Sequence, residues 1–147
     1  MIFVDTSALY AVLDRDDQNH PLAKSTWGTL LQEDEALIVT NYVAVETTAL
    51  VQHRLGMEAV RVLYGDVLAA LDVHWIGEDE HMHAQNALLA ADRRKVSLVD
   101  CSSFHVMRSR MLRTAFAFDP HFREQGFDVL PTTVSRDDER ASTKGSD

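Results

Sequence analysis

An α/β domain, with a parallel sheet covered by helices on both faces, is predicted by three features of this sequence. Short apolar runs of strand length recur along the chain, helix-like segments separate each run from the next, and the early runs are apolar throughout. A strand buried on both faces has no polar face to alternate with, and helical crossovers join neighbouring strands in parallel. With 147 residues, 46% hydrophobic and 25% charged, the chain has the length and composition of one domain.

The strands are expected at Ile2–Val4, Leu37–Thr40, Val73–Ile76, Ala115–Phe118 and Asp128–Leu130. Helices are expected over Ala8–Leu13, after Pro21 (where Ala23, Trp27, Leu30 and Leu31 share a face), over Asn41–Leu55, over Asp79–Arg93 and over Asp100–Met111. Val60, Leu63, Tyr64, Val67, Leu68 and Leu71 recur as one helical stripe and predict a single long helix. Gly56 and Gly77 punctuate the junctions. Beyond Pro131 the composition turns polar, so residues 1–131 are read as the domain and residues 132–147, "TTVSRDDERASTKGSD", as a disordered polar tail.

No apolar run approaches the ~20 residues a membrane span requires, and no basic segment followed by a long apolar one opens the chain. A cytoplasmic location without membrane contact is expected. Cys101 is the only cysteine, which excludes an intrachain disulfide. The net charge of -9 argues against nucleic-acid binding over the whole surface. The charge is uneven, however. The segment from Arg93 to Arg113 holds Arg93, Arg94, Lys95, Arg108, Arg110 and Arg113 against Asp100 alone, a net +5 against -14 for the remainder. These residues either form solvated helix ends or guide a nucleic-acid strand towards an acidic cleft.

Four acids stand where such a fold places chemistry, since open α/β sheets bind ligands beyond the carboxyl ends of their strands. Asp5 ends the first strand in "MIFVDTSALY", and Asp119 ends the fourth in "AFAFDPHF". Glu46 lies about 1.5 turns into the helix "NYVAVETTALV", roughly 7 to 8 Å from its start, within reach of the same edge. Asp100 opens a helix in "VSLVDCSSFHVM". Helix capping accounts for each aspartate singly, with Thr6 or Ser7 available to cap beside Asp5 and Pro120 suited to follow a capping Asp119. One shared site accounts for all four acids together.

Carboxylates gathered this way repel one another unless a cation joins them, and an all-oxygen set suits a hard divalent ion such as Mg2+ or Mn2+, one or two in number. Carboxylate-bound metal activates water for attack on a phosphodiester. Thr6, Ser7, Asn41 and Ser103 are short polar groups able to support bound water or a phosphate oxygen. His81 and His83, two apart on a helix, point in different directions and make a poor zinc pair. His105 and His121 lie near the acids in sequence, with a structural role the simpler reading. The glycines form neither a dinucleotide fingerprint nor a phosphate loop.

The ordered series "FVDTSAL", the Glu46 helix, "SLVDCSSFHVMR" and "AFAFDPHFREQGFDVLP" resembles the PIN domain family, which includes the VapC-type toxins of toxin-antitoxin pairs. The resemblance runs over about residues 1–131. It implies a three-layer α/β/α fold with five parallel strands in the order 3-2-1-4-5, and a Mg2+- or Mn2+-dependent ribonuclease. It also implies that Asp5, Glu46, Asp100 and Asp119 bind the metal, with Ser7 as the small hydroxyl residue after the first acid. A homodimer and a small antitoxin that inserts a segment into the acidic groove are the implied partners. The stretch "DCSSFHVMRSR" is bulkier and more basic than the small aliphatic run many VapC toxins carry after the third acid. A housekeeping nuclease acting on maturing RNA or on DNA, and a binding module without turnover, are the alternative readings.

Overall fold

A computed structural model of the chain describes residues 1–132, so residues 133–147 of the expected tail lie outside the described residues. The strands are β1 (Ile2–Val4), β2 (Leu37–Thr40), β3 (Asp72–His74), β4 (Thr114–Phe116) and β5 (Asp128–Leu130). They form one five-stranded sheet in the order β3-β2-β1-β4-β5, and every adjacent pair is parallel. The predicted fold class and strand order hold.

Seven α-helices connect the strands: α1 (Thr6–Leu13), α2 (His20–Gln32), α3 (Asn41–Leu55), α4 (Met57–Val62), α5 (Glu78–Ala91), α6 (Leu98–Ser109) and α7 (His121–Glu124). From β1 through β3 the chain winds one way, then it crosses back to β4 and β5. Right-handed crossovers therefore place α1 to α4 on one face and α5 to α7 on the other. The sheet interior is apolar on both sides, with Phe3, Val4, Ile38, Val39, Ala115 and Phe116 all almost fully buried. Phe122 of α7 packs on Phe3 and, edge-on, on Phe104 of α6.

Three boundaries depart from expectation. The strand expected at Val73–Ile76 ends at His74, because its partner β2 ends at Thr40, and the backbone N–H of Ile76 instead donates to Asn41 Oδ1 at 2.7 Å. Likewise, the strand expected to reach Phe118 stops at Phe116, opposite Val4, where β1 gives way to Asp5. The single helix expected from the Val60 stripe is α4 followed by a π-helical turn at Leu63–Val67 and a 3-10 turn at Leu68–Ala70. The widened turn falls at Gly65, a poor helix former. Val60, Leu63, Val67 and Leu71 are buried, whereas Tyr64 is exposed and donates its hydroxyl to Thr48 Oγ1.

Candidate active site

The strand order reverses between β1 and β4, which are neighbours in the sheet but far apart in sequence. The crevice beyond their carboxyl ends is the switch point where this class of fold binds ligands. Asp5 directly follows β1, and Asp119 lies three residues beyond β4. The two acids thus flank the crevice.

Asp5 is buried and is itself the N-cap of α1. Its Oδ2 accepts the backbone N–H of Ser7 at 3.1 Å and the Ser7 hydroxyl at 2.6 Å. The same hydroxyl accepts the backbone N–H of Phe118 at 2.9 Å, so Ser7 ties the end of β1 to the chain leaving β4. The expectation that Thr6 or Ser7 would cap in place of Asp5 is corrected. The carboxylate, with two acceptor oxygens, caps through Oδ2 and leaves Oδ1 without a hydrogen-bond partner among the described residues.

Thr6 has a different task. Its buried hydroxyl accepts from Thr47 Oγ1 at 3.3 Å, holding α3 against the start of α1, and its nearness to Glu46 partly offsets the rise in that carboxyl's pKa. Thr47 is a buried polar residue that sequence reading missed, although its place beside Glu46 in an apolar helix was the available signal. Asp100 is not the cap of α6. Ser97 is, and Asp100 sits at the third helical position, where the two close a reciprocal box at 3.0 and 2.9 Å. Asp119 Oδ1 accepts the backbone N–H of His121 at 2.8 Å.

The four carboxyls act on one another. Burial pushes the Asp5 carboxyl up to about 7, with the charges of Asp100 and Asp119 adding to the rise against the two Ser7 bonds. Glu46 and Asp100 are raised as well, chiefly by burial, and Asp119 repels both. Acids drawn from four separated segments are therefore close enough to disfavour their common ionisation. Asp100, Asp119 and His121 each offer a ligand atom within 4.8 Å of the others.

His121 is buried, and its bonding settles its charge. Nε2 lies 3.0 Å from the Lys95 carbonyl and Nδ1 lies 3.2 Å from Glu124 Oε2. Both partners are acceptors, so the ring must donate from both nitrogens and is an imidazolium. The Glu124 bond is the main cause of its raised pKa, with Asp119 and Asp100 contributing. With both nitrogens engaged, His121 serves as a fixed cation beside the acids and not as a metal ligand. Its sequence position had favoured a structural or surface role over contact with phosphate.

Two other expected groups fall elsewhere. Asn41 gives its side chain to the backbone of Ile76, accepting from the N–H at 2.7 Å and donating to the carbonyl at 3.5 Å, so it braces the β3 exit. The basic strip does not surround one aspartate. Ten residues separate Asp100 from Arg110, roughly 15 Å along α6 at 1.5 Å per residue. Arg110 reaches the Met1 sulfur and Arg113 accepts from Asp128 N–H through its carbonyl, at the end of the sheet where β1, β4 and β5 begin. Arg93, Arg94 and Lys95 lie in the loop that leads to the acids, and Arg108 lies in the last turn of α6 beside Gln125. Ser103, one turn after Asp100 on the same face, is fully buried, and its Oγ has no partner among the described residues.

Fold and acids together define an α/β domain with carboxylates gathered at its carboxyl edge, and the chain belongs to the PIN domain family, whose model matches residues 2–128. Among known relatives, the 23S rRNA-specific endonuclease VapC20 of Mycobacterium tuberculosis, from two strains, is 34% identical over 128 residues. The match covers 86% of this chain and 95% of the relative. The crystal structure of VapC20, described as a sarcin-ricin loop cleaving toxin, superposes with a TM-score of 0.73 at 31% identity, covering 86% of this chain and 96% of that one. FitAcB from Neisseria gonorrhoeae shares the fold with a TM-score of 0.63 at 14% identity, over 88% of this chain and 96% of its own.

Proposed function

We propose that the chain is a divalent-metal-dependent endoribonuclease that hydrolyses a phosphodiester of ribosomal RNA, and that it serves as the toxin of a toxin-antitoxin pair. The observation that carries this reading is the convergence of Asp5, Glu46, Asp100 and Asp119 at the switch point, with Asp5 driven up to about 7 by burial and by the charges of Asp100 and Asp119. The likeness to a 23S rRNA-specific endonuclease over 95% of that protein's length supports the substrate class.

The residues fit a metal. Four carboxyls give an all-oxygen donor set suited to Mg2+ or Mn2+, burial raises the pKa values of Asp5, Glu46 and Asp100 with the charges of neighbouring acids adding to the rise, and the orphaned Ser103 hydroxyl lies one turn from Asp100. Asp5, Glu46, Asp100 and Asp119 would hold one or two ions. When bound, such ions lower the pKa of water and neutralise charge on the attacking and leaving oxygens. The protein's own part is positional. Ser7 fixes Asp5, the Thr47–Thr6 bond holds the Glu46 helix against α1, the Ser97 box fixes Asp100, and the His121 backbone fixes Asp119.

The functional unit in this reading is residues 1–131, working in the cytoplasm with the polar segment 132–147 outside it. Among the described residues no helix is long and apolar enough to cross a membrane. A small antitoxin covers the acidic groove, and two copies of the chain pair through the apolar surface beside edge strand β3. Trp75 and Val45 are 75% and 70% exposed there, with Tyr64 and Val73 alongside. An exposed strand edge flanked by such a patch invites association.

The test is incubation of purified chain with total RNA in Mg2+ or Mn2+, with and without chelator, followed by mapping of the new ends. Site-specific cleavage of large-subunit rRNA that chelator abolishes is the expected result. RNA left intact under all metal conditions overturns the reading, and growth arrest on expression that depends on Asp5 separates a toxin from a housekeeping nuclease.

A further inference from the structure

The groove between α5 and α6 encloses about 670 Å3, within the range of ligand sites. Arg93 stands at one end, His83 and His105 at the other, and Arg108 along the wall, over a floor that includes Val96 and Phe104. No Asp or Glu lines it among the described residues, although the whole chain carries -9.

Two flat surfaces face this space. The His83 and His105 rings lie together with centroids 4.1 Å apart and planes inclined by 38°. The Arg108 guanidinium carbon sits 5.1 Å from the centroid of the Phe127 ring, with one nitrogen anchored to Gln125 Oε1 at 2.7 Å. A guanidinium fixed over a ring is pre-positioned to meet a base, and imidazole rings stack on bases as well.

One helix and one hydrogen-bonded chain link the groove to the acid cluster. Cys101 in its wall follows Asp100 on α6. Arg93 donates to Glu124 Oε2 at 3.1 Å, His121 Nδ1 meets the same oxygen at 3.2 Å, and the His121 backbone N–H reaches Asp119 at 2.8 Å. A cationic trough with stacking surfaces that runs into four carboxylates matches a single RNA strand whose scissile phosphate lies at the acids.

We propose that the α5–α6 groove is a second RNA-contact surface, in which Arg108 and the His83–His105 pair stack unpaired nucleotides flanking the cleaved bond and Arg93 meets their phosphate. The proposal rests on the ribonuclease reading and adds residues to it that lie outside the acid cluster.

The experiment uses the full chain and two labelled RNAs, a stem-loop of the sarcin-ricin type and the same loop stripped of flanking nucleotides. Kd is measured in an Asp5→Asn background and cleavage in the otherwise unaltered chain. Arg108→Ala and His83→Ala, both at exposed positions, should each raise Kd and KM on the longer RNA by about tenfold, the scale of one lost stacking contact. The single-turnover rate at saturating RNA should stay within about twofold, the trimmed RNA should show no loss, and Arg108→Lys should recover only part of the affinity.

Unaltered Kd and KM on the longer RNA, or an equal loss on both RNAs, overturns the groove. Failure of the ribonuclease reading looks different, since the unaltered chain then cleaves neither RNA. Binding in the Asp5→Asn background still reports on the groove in that case.

Discussion

Asp5 carries two duties that conflict. It caps α1 through Oδ2, and it stands buried among three other acids at the end of β1. The first duty suits a carboxylate and the second resists one, which is why its carboxyl rises to about 7. Asp5→Asn preserves an acceptor for the Ser7 N–H and hydroxyl while removing the charge. The variant should lose RNA cleavage by a factor on the order of a thousand or more while melting higher than the parent in chelator at pH 8. The gain is at most about 4 kcal/mol, the cost of ionising a group shifted by about three units. Cleavage rate and thermal unfolding of the same preparation check both halves. An Asn variant that still cleaves at the parental rate removes Asp5 from the chemistry.

At the scale of elements, the helix starts carry the site. Asp5 caps α1, Thr40 caps α3 one and a half turns before Glu46, and Ser97 caps α6 with Asp100 in its first turn. Capping and site-building use the same local geometry, because a helix that begins at the carboxyl edge presents its first turn to the crevice. Ser97→Ala should therefore act twice. It should cost about 1 kcal/mol of stability, as loss of a cap does, and it should weaken Mg2+ binding by freeing Asp100, as read by calorimetric titration. A loss of stability with unchanged Mg2+ affinity assigns the box to the helix alone.

At the scale of the molecule, the acid cluster makes stability depend on pH and metal. Between about pH 4 and pH 7 the folded chain keeps a proton on Asp5 that the unfolded chain has released. Raising pH across that window removes stability, and the raised Glu46 and Asp100 act in the same direction. His121, also raised, contributes stability below its unfolded pKa that is lost as pH climbs through its folded one. Asp14 and Glu124, both lowered, run oppositely and lose their contribution in acid. In chelator the chain should melt lower at pH 8 than at pH 5, Mg2+ should raise the melting temperature more at pH 8, and Asp5→Asn should shrink the difference. A chelator-treated chain equally stable at both pH values contradicts the repulsion. Separately, Trp75→Glu should convert a dimer into a monomer by light scattering, because a charge at the centre of a patch 75% exposed at that residue disfavours burial.

Period, composition and punctuation along the chain were enough for the sheet and its strand count and singled out four acids as candidates, since apolar runs and junction residues are local signals. The strand order came from the resemblance, and the structure agrees with it. What local signals could not reach were choices made between elements. The capture of Asn41 by Ile76, the imidazolium state of His121 and the division of the basic strip along α6 each depend on a partner far away in sequence. Residue type decided that carboxylates would stand at the helix starts. Only the packed fold decided which of their oxygens stay free, which neighbours hold them, and how strongly burial turns them against one another.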